Sequence, residues 1–238
     1  MDINGTTKKV RKMNINQKGY DIYIKVNNDN CVTSINSNIF IDNLNDWILV
    51  DSNVQGDKGA HAQGNYLPKP FITDEGYYRY KYENDNIVER SEEEINGDAF
   101  LNIIIQKKSE LSAECEKAIV AGIDVGDAHY SLTIEDQANI LAWMAVAQTG
   151  KAVPYHQDGQ PCRIYTAEEF MEVANAAVAF KTAQTTYCNL LMRQVESMTD
   201  VDEVKAVKYG ITQLEGEYAE QYQIIMASLV GDNGETNS

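Results

Sequence analysis

The spacing of the apolar residues changes at Ser91, and this divides the chain into a part suited to strands and a part suited to helices. Upstream, Tyr20, Ile22, Ile24 and Val26 alternate with polar positions. Successive strand side chains point to opposite faces, so this spacing predicts a half-buried strand. Asn27-Asn28-Asp29-Asn30 supplies a turn, because Asn and Asp tolerate positive φ, and Cys31, Thr33 and Ile35 form the return strand. Trp47-Ile48-Leu49-Val50 predicts a short buried strand, and the Gly-rich stretch 56–70 an ordered loop. A second hairpin is written in Tyr77–Tyr82, the turn residues Glu83-Asn84-Asp85-Asn86, and Ile87–Arg90.

Downstream the apolar spacing becomes three, four and seven. Ser91 with Glu94 is a capping box, in which each side chain satisfies the other residue's free backbone N–H. Phe100, Ile104, Leu111, Cys115 and Ala118 then share one helical face, although Gly97 weakens the first turns. Gly122–Gly126 is a turn-rich strand or loop. Thr133 is an N-cap with Asp136 three residues on; Ile134, Ala138, Leu141 and Ala145 follow as the expected apolar stripe, and Gly150 ends the helix. Asp158-Gly159, between Val153–His156 and Cys162–Tyr165, signals a type I′ hairpin. Thr166 and Glu169 form another capping box, with Tyr165 and Phe170 placed as a hydrophobic staple. Phe170, Val173, Ala174, Ala177, Cys188, Leu191 and Val195 mark the apolar side of the long helix that follows. From Asp200, the residues Val201, Val204, Ile211, Leu214, Tyr218, Ile225 and Leu229 continue a 3-4 spacing across Gly210.

These patterns predict an α+β chain: an N-terminal β-rich domain, a linker helix, and a mostly helical domain carrying a small β-hairpin. The expected segments are a mobile arm over 1–18, the β-rich domain over 19–90 and the linker helix over 91–121. An α+β domain over 122–198, C-terminal helices over 199–230 and a disordered tail over 231–238 complete the chain. Two stripes are candidates for assembly contacts: Phe100, Ile104, Leu111 and Cys115, and Ile211, Leu214, Tyr218, Ile225 and Leu229. The competing expectation is that both bury inside one chain.

Charge and motif content narrow the function classes. A net charge of −16 repels nucleic acid and anionic membrane surfaces, so neither is an expected partner. Lys8, Lys9, Arg11 and Lys12 are the local exception, read as a solvated arm against the alternative of a nucleic-acid or membrane arm. No apolar stretch follows these basic residues as a signal peptide requires, and no apolar run approaches the roughly 20 residues of a membrane span. Cys31, Cys115, Cys162 and Cys188 are scattered without metal-ligand spacing, as free thiols in a reducing cytoplasm are.

His61, His129 and His156 would need distant segments to converge before they could share a metal, and Asp124 with Asp127 lacks the carboxylates of a calcium loop. No nucleophile-elbow, zinc-protease or phosphate-loop motif is present, so no catalytic, cofactor or metal-binding residue is assigned, and a non-enzymatic role is expected. Tyr78, Tyr80 and Tyr82 share one face of a predicted strand; exposed, they would stack on sugar rings, and buried, they are core.

Several phrases carry a resemblance. His61–Leu67, Gly76–Lys81 and Glu89–Ile95 resemble a module of tail-associated proteins from phages and prophages of Gram-positive bacteria. Gly122–Gln137 and Tyr155–Tyr165 are similar to a domain of unknown function recurrent in tail-fibre and baseplate-associated proteins. The resemblance implies a setting: a structural or adaptor component of a tail or baseplate, made in the bacterial host cytoplasm. Other tail proteins are its implied partners, with a homo-oligomer, a trimer by analogy with tail fibres, as a further implication. A tail-fibre assembly chaperone and a glycan-binding receptor module are the alternatives.

Overall fold

A computed structural model describes residues 19–230. The expected arm over 1–18, with its basic cluster, and the expected tail over 231–238 lie outside the described residues. The chain divides into two compact units between Ala99 and Phe100. The fold is α+β: an N-terminal antiparallel sheet region, then a mostly helical part with small hairpins.

In the first unit, β1 (Tyr20–Val26) pairs antiparallel with both β2 (Val32–Ser37) and β3 (Ile48–Val54), giving the order β2-β1-β3. The alternation in β1 works as its spacing predicts, with Ile22 and Ile24 fully buried. They pack with Val32, Ile35, Ala62 and Tyr80. The Asn27 side chain closes the β1–β2 turn by accepting from the N–H groups of Asp29 (3.1 Å) and Cys31 (2.8 Å).

Two local expectations fail here. The Trp47–Val50 run is not a buried strand: β3 is an edge, Leu49 is exposed, and Trp47 lies half-buried under the Lys25 ammonium at 5.1 Å. The Gly-rich stretch is not a loop either, since it winds into α1 (Gly56–Ala60) and α2 (Ala62–Asn65). Gly59 is required there, because a Cβ would sit 2.3 Å from the Val54 carbonyl oxygen.

The hairpin of β4 (Tyr80–Glu83) and β5 (Asn86–Glu89) turns through Asn84 and Asp85, both at positive φ, as a type I′ turn demands. Arg90 then ties this hairpin to the next helix. It donates to the Tyr78 carbonyl at 3.0 Å and to the Glu94 carbonyl at 3.1 Å, and pairs with Asp98 at 2.8 Å.

Helix α3 (Glu92–Ala121) starts at the capping box that Ser91 and Glu94 encode. In the second unit it leads into the hairpin β6 (Ile123–Val125) and β7 (Ala128–Tyr130), then α4 (Ile134–Ala147) and the short pair β8 (Val153–Tyr155) and β9 (Arg163–Tyr165). The 31-residue α5 (Ala167–Ser197), α6 (Val201–Ala206) and α7 (Gly216–Val230) follow. Thr133 and Thr166 each close a capping box, and the staple residues Tyr165 and Phe170 are buried. Thr166→Ala should therefore lower stability by about 0.5–2 kcal/mol through loss of the bond to the Glu169 N–H, read as a shift of the thermal melt. An unchanged melt would remove the cap from the account of this helix.

Two apolar cores form in this unit. The first gathers both hairpins, α4 and the N-terminal half of α5 around Tyr130, Leu132, Tyr155, Tyr165 and Phe170. The second packs Ile104 and Leu111 of α3 on Leu191 and Val195 of α5, with Val204 and Val207. Lys107 is almost fully buried in it. Its ammonium donates to the Lys205 (3.3 Å) and Val207 (3.1 Å) carbonyls and pairs with Glu110 at 2.8 Å, so it caps the C-terminal end of α6.

This packing places most of the first assembly stripe inside the unit. Ile104, Leu111 and Cys115 are buried within the unit and Phe100 is half-buried, so no open seam exists on that side of α3. The spacing across Gly210 does not describe one helix, because the chain is irregular between α6 and α7, with Gly210 at φ +74°. Ile211 is exposed on that connection, Leu214, Tyr218 and Ile225 are half-buried, and Leu229 is exposed. Among the described residues, no helix is long and apolar enough to cross a membrane.

Candidate functional site

The two short hairpins of the second unit come from segments some 30 residues apart, yet polar groups join them. Gly126 alone takes positive φ in the two-residue β6–β7 turn, the pattern of a type II′ turn with Gly first. The register of that turn sets Asp124 opposite His129. His129 Nδ1 lies 2.7 Å from the Asp124 carboxylate, and Nε2 lies 2.8 Å from the Ala121 carbonyl at the end of α3. The Asp158 carboxylate stands 4.0 Å from Nε2.

Asp158 completes the join. Its N–H donates to the His129 carbonyl at 2.9 Å, and its carboxylate accepts from the Ser131 N–H at 3.1 Å and from the Ser131 hydroxyl. This explains why Asp158-Gly159 does not form the two-residue type I′ turn that the pair suggests. Asp158 is diverted to Ser131, Gly159 alone has positive φ, and residues 156–162 bridge β8 to β9. Ser131 holds the Asp158 carboxyl below its ordinary range. Beneath this polar layer the Tyr130 and Tyr165 hydroxyls meet at 3.2 Å, and Tyr155 lies edge-on to Phe170 at 5.1 Å. Burial pushes the Tyr155 phenol up to about 12.

The chemistry of His129 follows from its neighbours. A carbonyl oxygen can only accept, so Nε2 donates to Ala121. A carboxylate also accepts, so Nδ1 donates to Asp124. Both bonds are met at once only by the imidazolium, and the Asp124 carboxylate, helped by the Ala121 carbonyl, raises the His129 pKa above its ordinary 6.5. With both ring nitrogens donating, His129 offers no lone pair to Ser131, and the cluster works as a clasp between hairpins.

The sign of its pH effect is fixed. A raised folded pKa contributes stability that is fully present below the unfolded value and is lost as pH rises through the folded value. Stability should fall as pH climbs from about 6.5 upward, and His129→Gln should flatten that fall. Denaturant midpoints measured across this range for both proteins check it; an equally steep fall in the variant would sink the clasp. Acid titration of Asp158 lies well below this window.

The other candidate residues occupy different places. Tyr80 is buried, and its hydroxyl bonds the Lys69 N–H at 3.2 Å, so it is core and not part of a stacking face. Tyr78 and Tyr82 are half-buried, and the Tyr82 hydroxyl reaches Asp85 at 3.3 Å. His156 stacks on Tyr155, and His61 lies on the Phe40 ring in the first unit. The Cys115 thiol donates to the Gln184 carbonyl and the Cys188 thiol to the Leu111 carbonyl, each at 3.6 Å, with burial pushing Cys188 up to about 12. Among the described residues, no cluster of three or more His, Cys, Asp or Glu side chains is placed to hold a metal ion.

The largest departure from expectation is on α4. The spacing of Ile134, Ala138, Leu141 and Ala145 predicts an inward stripe, but this is the solvent side: Ile134 is 72% and Leu141 59% exposed, and both alanines are exposed. The buried side instead carries Ile140, Trp143, Met144 and Ala147. Leu141 and Val178 border a shallow cleft of about 170 Å³ between α4 and α5, floored by Leu132, Ile140 and Ala177. Thus α4 presents an apolar strip to solvent beside the clasp.

A family model described as a domain of unknown function (DUF4376) matches residues 104–209, which run from within α3 to just past α6 and include the clasp and α4. No curated protein and no solved structure matches the chain.

Proposed function

We propose that this chain is a structural or adaptor component of a bacteriophage tail or baseplate and that it works by protein–protein contact. The observation that carries the contact is the exposed strip of Ile134 and Leu141 on a helix that is capped and packed on its other side. Large apolar side chains standing together in water favour a partner that covers them. The tail setting rests on the resemblance of Gly122–Gln137 and Tyr155–Tyr165 to tail-protein sequence. These two phrases form the hairpins that His129, Ser131 and Asp158 clasp together, so they belong to one folded piece. A net charge of −16 disfavours nucleic acid as the partner.

Mass spectrometry of purified particles from the strain that encodes the chain tests the setting. The protein should be present in stoichiometric amount with other tail components. Its absence from mature particles would overturn a virion role. Copurification with an unassembled fibre in the same cells would then point to an assembly chaperone.

A further inference from the structure

The exposed strip on α4 has an internal pattern that names its partner. Ile134, Ala138, Leu141 and Ala145 are spaced four, three and four apart, the spacing of a coiled-coil seam. Large and small residues take mirrored places on it. About the helix midpoint between Asn139 and Ile140, Ile134 mirrors Ala145 and Ala138 mirrors Leu141. An antiparallel second copy, turned by a two-fold axis at that midpoint, therefore sets a large side chain against an alanine in every layer. A parallel copy would set Ile134 on Ile134 and leave facing alanines unfilled.

Charge permits a contact between two copies on this face. The outward and flanking positions of α4 carry one ionised residue, Glu135, in a chain whose net charge is −16. With one carboxylate from each copy, a seam between two copies of this face meets little like-charge repulsion. Antiparallel helices also oppose their dipoles.

We infer that α4 docks on the α4 of a second copy of this chain, antiparallel and across a two-fold axis, through Ile134, Ala138, Leu141 and Ala145. This rests on the reading of the strip as an assembly contact, and it replaces the three-fold arrangement suggested by tail fibres. One helix pair covers less than the roughly 1,000 Å² of a stable interface, so the isolated dimer is weak and the contact gains strength where many copies are held together.

Disulfide trapping tests the geometry in full-length protein with the exposed Cys162 replaced by Ser. Ile134→Cys and Ala145→Cys variants are prepared separately and mixed under mild oxidation. The mixture should yield a crosslinked dimer, and each variant alone should not, because identical positions would lie about 16 Å apart along the axis. Both sites are exposed, so the fold tolerates them. Self-crosslinking of Ile134→Cys at equal yield would overturn the antiparallel pairing. Sedimentation of the unaltered protein up to about 1 mM should show reversible dimer, weakened at least tenfold in Leu141→Glu; a strict monomer at that concentration would overturn the self-contact. A dimer formed by a protein that is absent from tail particles would leave this inference standing and remove the tail setting instead. Presence in particles without mixed crosslinking would do the reverse.

Discussion

Phe170→Ala is expected to destabilise the second unit by about 3–5 kcal/mol, the usual range for removing a fully buried phenylalanine. Phe170 has no exposed surface and opens α5 one turn after the Thr166 cap. Its ring lies edge-on to Tyr155 at 5.1 Å, and its cluster gathers Tyr130 and Leu132 from the β6–β7 side and Ile140 from α4. The helix, both hairpins and α4 thus meet in the one core that holds this ring. The hole cannot collapse easily, because the neighbouring tyrosines are held by the bond between the Tyr130 and Tyr165 hydroxyls. Trp143 packs against this cluster and Trp47 sits in the first unit, so Trp143 fluorescence in a Trp47→Phe background reports the right transition. A fall of less than about 1 kcal/mol in urea denaturation would show that Phe170 is not central to this core.

The same residue illustrates what local sequence can specify. The start of α5 is written within six residues, because the threonine cap, the returning glutamate and the staple are all local chemistry. The apolar stripe that follows is correct as well: Val173, Ala174, Ala177 and Leu191 are all buried. Helix α4 is different. It carries two apolar stripes, one through Ile134 and Leu141 and one through Ile140, Trp143 and Ala147, and periodicity cannot rank them. Trp143 and Met144 decide the matter by burying the larger area against the α5 core, and the smaller stripe is left in water.

The clasp was legible in one respect only. Asp124 and His129 flank Gly126-Asp127 at mirrored positions, and a two-residue turn there makes them cross-strand neighbours. Ser131 and Asp158, 27 residues apart, carry no such local mark, and neither does Lys107, whose carbonyl partners lie nearly a hundred residues on. The irregular chain after Gly210 was masked by an apolar spacing that runs on by chance through residues with different backbones. In each of these cases the deciding contact is distant in sequence, and local propensity gives way to it.

Gly122 joins α3 to the clasp, and replacing it should have an effect comparable to losing Phe170. It stands at φ +91°, a conformation that side chains disfavour, directly after the last residue of α3. Its N–H donates to the Ile119 carbonyl at 3.0 Å and closes the end of the helix, as a glycine beyond a helix C-terminus commonly does. A Cβ there would lie 2.2 Å from the Tyr130 carbonyl oxygen and 2.8 Å from the Ser131 Cα. Both obstacles are backbone, so neither can swing aside. Gly122→Ala therefore adds about 1–2 kcal/mol of conformational strain and about 1–3 kcal/mol of overlap, roughly 2–5 kcal/mol together. Relief requires β7 to move away from the end of α3, and that motion lengthens the bond from His129 Nε2 to the Ala121 carbonyl. The variant should accordingly lose both stability and the pH dependence that His129 confers, whereas Gly126→Ala, in open space at the hairpin turn, should lose stability through strain alone. Urea midpoints of the two variants at pH values below and above 6.5 separate these outcomes. A Gly122→Ala protein as stable as the parent, with its pH response intact, would mean that α3 and the clasp are not coupled through this residue.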